Sequence, residues 1–222
     1  MSHLNTQHEK LARFFLSGDD EGALEYMKAL LEEHPRAFLF GDILTPAMYF
    51  IGELWERNEI SVADEHLATA ICDFVLSRLE GENVTQDRKT QKNNKAILFG
   101  VEEEQHYIGL KMVAETFKDR GWRVRYLGPN LPLDHSLVQI NKFRPDVIGI
   151  SAALSYRLPM IKVLIERFSR LEWKPLIMIG GRMATKYELE NFESEQVMVM
   201  RDLSCLNKWF DEGRNEVFNE TS

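Results

Sequence analysis

The sequence predicts an α plus α/β protein in which an N-terminal four-helix bundle precedes a doubly wound parallel sheet of five strands. Two observations predict this class. Apolar residues recur at helical spacing through the first 80 residues, and short apolar runs later alternate five times with helical segments. Between them, residues 82–94 contain a single apolar residue, which is typical of a linker. We therefore expect a helical domain over residues 1–81 and a sheet domain over 95–222.

Amphipathic segments make up the predicted bundle. In the first of them, Leu11, Phe14 and Phe15 share one face of a helix. Pro35 ends the second segment because proline cannot continue a helix, and Gly81 ends the fourth. The predicted helices span residues 7–17, 20–34, 37–57 and 61–80. Helices of this length joined by short loops are typical of a small bundle.

The second domain is predicted from a change of period along the chain. Short apolar runs predict strands at residues 95–101, 122–128, 146–151, 175–181 and 196–200. Amphipathic segments predict helices at residues 107–120, 133–143, 155–171, 183–192 and 202–212. In such sheets, ligands bind beyond the carboxyl ends of the strands. Candidate site residues are therefore expected directly after the strands.

Composition bounds the function classes. The chain has 44% hydrophobic and 28% charged residues, as ordinary globular proteins do, and its net charge of −8 argues against an intrinsic nucleic-acid surface. Its N-terminus lacks a signal-peptide apolar segment, and no apolar run approaches membrane-spanning length. Cys72 and Cys205 fit no disulfide or metal framework. We therefore expect a cytoplasmic protein that does not bind membranes.

Unusual residues follow three of the predicted strands. The first strand leads into Glu104-x-His106-x-x-Gly109, the third ends at Ser151 before Ala152 and Ala153, and the fourth ends at Gly180-Gly181. A histidine on such a loop can present one ring nitrogen to a metal while a nearby carboxylate holds the other N–H. Small residues at adjacent strand ends open a slot at the edge of the sheet. Each element alone also fits ordinary turn chemistry.

Together these elements resemble the cobalamin-binding domain of the superfamily that contains methionine synthase, methylmutases and corrinoid proteins. That family carries Asp-x-His-x-x-Gly, Ser-x-Leu and Gly-Gly; here 41 residues separate Gly109 from Ser151, and 28 separate Ser151 from Gly180. The resemblance covers residues 95–212 and implies a flavodoxin-like, Rossmann-type fold. Glu104 stands in place of the family's Asp, and Ala153 in place of its Leu.

The same resemblance implies how cobalamin binds. His106 would displace the nucleotide base from cobalt and become the lower ligand, giving a base-off form. The displaced tail would lie in the slot near Ser151, Gly180 and Gly181. The longer Glu104 side chain can still reach a histidine N–H, so ligation by His106 is expected to survive the replacement. In this superfamily a four-helix bundle covers the upper face of the corrin.

The helical domain carries a second motif. Trp55, nine residues and then Glu65-His66 resemble the signature of adenosylcobalamin-dependent photoreceptors of the CarH type, which also favour Glu in the lower-ligand motif. The resemblance implies that Trp55 packs an adenosyl group while Glu65 and His66 hydrogen-bond its ribose. The alternative is that Trp55 belongs to the core and that Glu65-His66 is a solvated first helical turn. Glu56 stands where those receptors have a His that coordinates cobalt after illumination.

Two function classes follow. In the first, the protein is a cobalamin-dependent regulator of transcription that senses light through adenosylcobalamin. No basic recognition helix is apparent in the first 80 residues, so either it acts through a protein partner or a DNA-binding part is missing from this chain. In the second, it is a corrinoid methyl carrier that serves separate methyltransferases. Neither is an enzyme by itself. Methylcobalamin and hydroxocobalamin remain alternative cofactor forms, and a homo-oligomer is plausible.

Overall fold

A computed structural model describes residues 2–79, 93–153, 155–187 and 189–212. The chain divides into two compact units, Met1–Val84 and Thr85–Ser222, which we describe separately. The predicted linker lies almost wholly outside the described residues, which include only its last two positions, 93 and 94.

The first unit is helical, as predicted. Its helices are α1 (Ser2–Ser17), α2 (Asp20–Glu33), α3 (Arg36–Glu56) and α4 (Val62–Leu79). The Asp19 side chain caps α2 by accepting the backbone N–H of Gly22 at 2.9 Å. Ser61 precedes α4 and exchanges hydrogen bonds with Asp64, which accepts from both the backbone N–H and the hydroxyl of Ser61. The starts of α2 and α4 thus each have a local chemical cause.

Helix α3 differs from the regular helix that the sequence predicts. Residues Leu39–Leu44 form a π-helical segment between two α-helical ones. Thr45 donates both its backbone N–H and its hydroxyl to the carbonyl of Phe40, and the hydroxyl bond is 2.7 Å long. Pro46 follows directly and lacks the N–H that a regular helix would pair with Asp42, so a widened turn is accommodated here.

The apolar face of α3 is packed in the bundle. Within the described part of the chain, one helix, Arg36–Glu56, is long and apolar enough to cross a membrane by length and composition. Core helices of globular proteins meet the same criteria. The buried side chains of this helix are Leu39, Phe40, Ile43, Leu44, Ala47 and Ile51.

The second unit contains a five-stranded, all-parallel sheet in the order β2-β1-β3-β4-β5, which confirms the predicted class. The strands are β1 (Lys95–Gly100), β2 (Arg123–Tyr126), β3 (Val147–Ser151), β4 (Leu176–Gly180) and β5 (Val197–Val199). Strands β1, β3 and β4 are central and almost wholly buried, which explains their continuous apolar runs.

Helices cover both faces of this sheet. They are α5 (Ile108–Asp119), α6 (Leu133–Phe143), α7 (Leu158–Phe168), α8 (Arg182–Lys186) and α9 (Leu203–Asp211). Helices α6, α7 and α8 pack against one face, where Ile97 and Phe99 point. Helices α5 and α9 pack against the other, where Ala96 and Leu98 point. Successive strand residues thus alternate between two cores, as a doubly wound sheet requires.

Two predicted helices of this unit are shorter than expected. The helix predicted over 183–192 ends at Lys186, because Tyr187 adopts an extended backbone conformation, and a separate 3-10 turn covers Glu190–Phe192. The helix predicted from residue 155 starts as a 3-10 turn, and α7 proper begins at Leu158. Pro159 lies in the first turn of α7, where a missing N–H breaks no helical hydrogen bond.

Candidate functional site

The carboxyl ends of three central strands lie side by side. Gly100 of β1 pairs with Ser151 of β3, and Ser151 pairs with Gly180 of β4. This row of small residues crosses the edge of the sheet where doubly wound folds bind ligands. Ser151 is buried. Register therefore brings together two of the slot residues that the sequence predicted and adds Gly100, which it did not single out.

A tight turn carries the chain from β1 to the predicted metal ligand. The backbone N–H of Val101 donates to the carbonyl of Ser151 at 3.1 Å, which extends the strand pairing by one residue. The N–H of Glu104 then donates to the carbonyl of Val101 at 3.0 Å and closes a β-turn. Glu103 is the third residue of this turn and has a left-handed φ of 62°. The turn places Glu104 and His106 at the edge of the sheet.

Glu104 is the most strongly held polar side chain of the site. Its carboxylate is fully buried and accepts three hydrogen bonds. Oε1 accepts from Nδ1 of His106 at 2.6 Å and from the His106 backbone N–H at 2.9 Å, while Oε2 accepts from the Ala153 backbone N–H at 2.6 Å. Burial raises the pKa of Glu104, but these hydrogen bonds outweigh it and lower the pKa to about 2. Glu104 is therefore an anion at neutral pH.

This anion determines which nitrogen of His106 is available. A carboxylate can only accept, so Nδ1 carries the proton and donates it to Glu104. In the neutral ring, the other nitrogen, Nε2, then carries the lone pair that a metal ion requires. The His106 side chain is 54% exposed, which leaves room for a ligand. Such a single imidazole suits a metal that brings its other ligands with it.

The two predicted positions that depart from the family motif keep their contacts here. Glu104, in place of Asp, reaches both His106 and Ala153. Ala153, in place of Leu, contributes its backbone N–H, and this contact does not depend on the side chain. The replacement of Leu by Ala therefore leaves this hydrogen bond in place.

The predicted glycines play different roles. Gly181 has φ +96°, and a Cβ there would lie 2.4 Å from the carbonyl oxygen of Ala152, so no other residue fits without a shift. A Cβ at Gly180 would meet the carbonyl oxygen of Met200 at 3.5 Å, an ordinary contact. A Cβ at Gly109 would meet nothing within 4 Å. Gly109 lies exposed in the first turn of α5, one turn beyond His106.

The predicted residues of the helical unit lie at one end of the bundle. Trp55 is in the last turn of α3, and Glu65 and His66 are near the start of α4, across a short loop. Trp55 is 48% exposed, so the alternative that it belongs to the core is wrong. Glu65 is half-buried and accepts the hydroxyl of Thr69 at 2.9 Å, while His66 is exposed. Glu56 is exposed beside Trp55.

Two residues outside the predicted set hold the turn that bears His106. Asn130 Oδ1 accepts the backbone N–H of Glu103 at 2.7 Å. Arg157 donates Nη1 to Oε2 of Glu103 at 2.6 Å and Nη2 to the Glu103 carbonyl at 3.4 Å. The dipeptide Pro129-Asn130 is a turn signal that could have drawn attention to Asn130. Nothing in the sequence points to Arg157, which lies 54 residues from Glu103.

Comparisons with known proteins match both units of the chain. A family model described as the B12 binding domain matches residues 94–202, and a second one matches residues 7–80. The transcriptional repressor CarH of Myxococcus xanthus is 24% identical over 187 residues, which are 84% of this chain and 61% of the repressor. Dimethylamine corrinoid protein 1 of Methanosarcina mazei is 24% identical over 166 residues, 74% of this chain and 75% of that protein.

A solved structure matches over nearly the whole chain. The monomethylamine corrinoid protein of Methanosarcina barkeri superposes with a TM-score of 0.76, at 19% identity, over 94% of this chain and 99% of that one. At this identity the likeness shows the fold alone, and it confirms the flavodoxin-like class. Since the two family models together match both the helical unit and the sheet unit, the chain belongs to the B12-binding-domain family, and cobalamin is its cofactor.

Proposed function

We propose that this protein binds cobalamin with its nucleotide base displaced and with His106 as the lower ligand to cobalt. The observation that carries the proposal is the hydrogen bond of 2.6 Å between Nδ1 of His106 and the ionised Glu104. It orients the ring, fixes the tautomer and makes Nε2 a stronger electron-pair donor to a metal ion. Bound cobalamin supplies a reactive upper position on cobalt that amino-acid side chains lack.

The slot at the sheet edge takes the displaced nucleotide tail in this proposal. Gly100, Ser151 and Gly180 form a row of small residues across three adjacent strands, so nothing bulky protrudes from the strand ends. Gly181 lets the chain turn tightly against the carbonyl of Ala152 just beyond that row. Together with Gly109 and Ala153, these residues complete the cobalamin site on the sheet unit.

The finer function that we propose is a regulator that senses light through adenosylcobalamin and acts on transcription through a protein partner. Two observations support it. Trp55 exposes about half of its surface at the bundle end where Glu65 and His66 also lie, as a residue that packs an adenosyl group would. The CarH repressor also matches over most of this chain. Glu65 and His66 would hydrogen-bond the ribose.

A specific observation favours a second candidate function, that of a methyl-carrying corrinoid protein. Dimethylamine corrinoid protein 1 is matched over 75% of its own length, a larger share than for the repressor. Glu56 beside Trp55 also lacks the imidazole that the photoreceptor resemblance implies at this position. In this role the protein would serve separate methyltransferases as their corrinoid subunit.

The test compares cofactor preference and the response to light. Apo-protein is loaded in the dark with adenosylcobalamin or with methylcobalamin, and absorbance and molecular size are followed before and after illumination. A sensor prefers adenosylcobalamin and changes size or conformation only after light. Equal affinity for the two cofactors, with no change on illumination, supports the methyl carrier and contradicts the sensor.

The spectrum of the illuminated protein tests the upper position. Because Glu56 offers a carboxylate where an imidazole is expected, we predict no second histidine on cobalt from this position after light. The absorption spectrum of the illuminated sample, with its cobalt oxidised to cob(III)alamin, distinguishes water from an imidazole as the upper ligand. Two coordinated imidazole nitrogens would contradict this part of the proposal.

A further inference from the structure

The turn that bears His106 is held by an ion pair that lies outside the cobalamin motif. Arg157 lies in a segment that follows β3 and donates hydrogen bonds to two atoms of Glu103, Oε2 and the backbone carbonyl oxygen. The Arg157 side chain is 16% exposed, and its guanidinium lies 4.5 Å from the ring centre of Tyr156. Stacking of this kind restricts the guanidinium, so the pair has a defined geometry.

Glu103 needs such support because of its backbone conformation. Its φ of 62° lies in the left-handed region that residues with a Cβ disfavour. Three hydrogen bonds compensate: the N–H to Asn130, and the carbonyl and carboxylate from Arg157. The turn is therefore not self-sufficient, and it keeps its shape through partners that come from two other loops.

The same segment after β3 holds two consecutive residues of the turn. Ala153 donates its N–H to Glu104, and Arg157, four residues later, binds Glu103. Loss of the Arg157 contacts leaves the Glu104–His106 pair intact but removes one of the two attachments between the turn and this segment. The ring would then stay on Glu104 while the whole turn gains freedom relative to the sheet.

We propose that Glu103 and Arg157 are positioning residues that hold the turn 101–107 so that Nε2 of His106 lies where cobalt requires it. This inference rests on the proposed ligation by His106. Neither residue contacts the metal. Their effect is on the fraction of bound cobalamin that carries the histidine, since a metal–nitrogen bond tolerates little displacement of its ligand.

The experiment compares Arg157→Ala with a matched control, Arg120→Ala. Arg120 also donates Nη1 to a carboxylate at 2.6 Å, that of Asp211, and its guanidinium also lies over an aromatic ring, 5.3 Å from the centre of Phe210. Arg120 directly follows α5 and precedes β2, so it lies near the amino ends of the strands, whereas His106 lies near their carboxyl ends. The two variants thus lose the same chemistry at different places.

Three readouts separate positioning from general stability. Electron paramagnetic resonance of bound cob(II)alamin reports the coordinated histidine nitrogen, titration reports affinity, and hydrogen exchange of the apo-protein reports amides 102–106. We expect Arg157→Ala to lower the histidine-bound fraction, to weaken affinity about three- to tenfold and to speed exchange in the turn. Arg120→Ala should leave all three readouts unchanged.

Two further variants test the side-chain contact itself. Glu103→Gly suits the positive φ and keeps the turn foldable, but it removes the carboxylate, so it should reproduce the loss of histidine coordination. Exchange of the two charges, Glu103→Arg with Arg157→Glu, should restore part of that coordination. An unchanged histidine-bound fraction in both Arg157→Ala and Glu103→Gly overturns the inference.

These experiments distinguish a failure of the proposed ligation by His106 from a failure of the positioning role. If the wild-type protein shows no coordinated histidine nitrogen, the proposed ligation is wrong and the positioning role falls with it. If the wild type shows that nitrogen and both Arg157→Ala and Glu103→Gly show it to the same extent, only the positioning role is wrong.

Discussion

The two units present their candidate cofactor residues in opposite ways. In the sheet unit, Glu104 is fully buried and accepts three N–H groups, so the orientation of His106 is set before any ligand arrives. In the helical unit, Trp55 is half exposed, and half-buried Glu65 accepts a single hydroxyl from its own helix. The difference indicates that the proposed lower-ligand site is preorganised, whereas the side chains at the Trp55 end of the bundle are held by fewer contacts.

The largest expected effect follows from the burial of Glu104. Because its folded-state pKa of about 2 lies below the ordinary value of 4.5, its anion stabilises the folded protein above pH 4.5, and this contribution is lost as pH falls toward 2. The shift corresponds to about 3 kcal/mol of unfolding free energy. Chemical denaturation of apo-protein at pH 7 should show Glu104→Gln destabilised by a similar amount, with the gap to wild type narrowing at acid pH.

Glu65→Gln is the matched control in the helical unit. Its carboxylate is partly solvated and accepts a single side-chain bond, so we expect a much smaller loss of stability at pH 7. Equal losses of unfolding free energy in the two variants would contradict the difference that we infer between the two units.

The next effect concerns the proposed metal ligand. His106→Ala should remove histidine coordination and weaken cobalamin binding by about ten- to a hundredfold, since even partners of a metal ligand are worth that much. His135→Ala is the control, because His135 is an exposed histidine of the same unit, in the first turn of α6. The absorption spectrum and the dissociation constant measure the outcome. A His106→Ala protein with the spectrum and affinity of the wild type would remove the central proposal.

A third prediction tests the slot by comparing substitutions at its two glycines, Gly180 and Gly181. Gly180→Val should fold, because a Cβ at this position meets only an ordinary contact at 3.5 Å, yet it should weaken cobalamin binding about tenfold by filling the tail slot. Gly181→Val should destabilise the fold itself, because its Cβ would lie 2.4 Å from the Ala152 carbonyl. Thermal unfolding measures the second effect.

Binding of cobinamide, which lacks the nucleotide tail, distinguishes a blocked slot from a disturbed fold in the Gly180→Val variant. Cobinamide should bind Gly180→Val as well as it binds the wild type. Equal loss of cobinamide and cobalamin binding would show that the slot does not take the tail. A Ser151→Leu variant should also weaken cobalamin binding, and thermal unfolding checks its fold because Ser151 is buried.

The smallest effect is expected in the helical unit. Trp55→Ala should reduce the preference for adenosylcobalamin over methylcobalamin about two- to tenfold, as expected for one lost aromatic stacking contact. Tyr49→Ala is the control: it removes another exposed aromatic from α3, about 120° around the helix from Trp55. Paired titrations in the dark measure the preference. The same shift in both variants would speak against an adenosyl contact at Trp55.

Much of this architecture is readable from the chain because it depends on near neighbours. The 3.6-residue and two-residue periods predict the helices and strands, and Glu104-x-His106 lies within a single turn. The π-helical segment at Leu39–Leu44 was not predicted, because apolar periodicity does not reveal which carbonyl accepts the hydrogen bonds of Thr45. The early end of α8 at Lys186 was missed for a similar reason, since an amphipathic pattern continues past it.

By itself, the sequence determined the alternation of strands and helices, the candidate ligand and the glycines of the slot. Only the tertiary structure decided what holds that ligand. Glu104 meets the N–H of Ala153 across 49 residues, and Glu103 meets Arg157 across 54, because strand pairing brings the loops after β1 and β3 together. Such contacts depend on sheet register rather than on local pattern, and a one-residue slip would remove them.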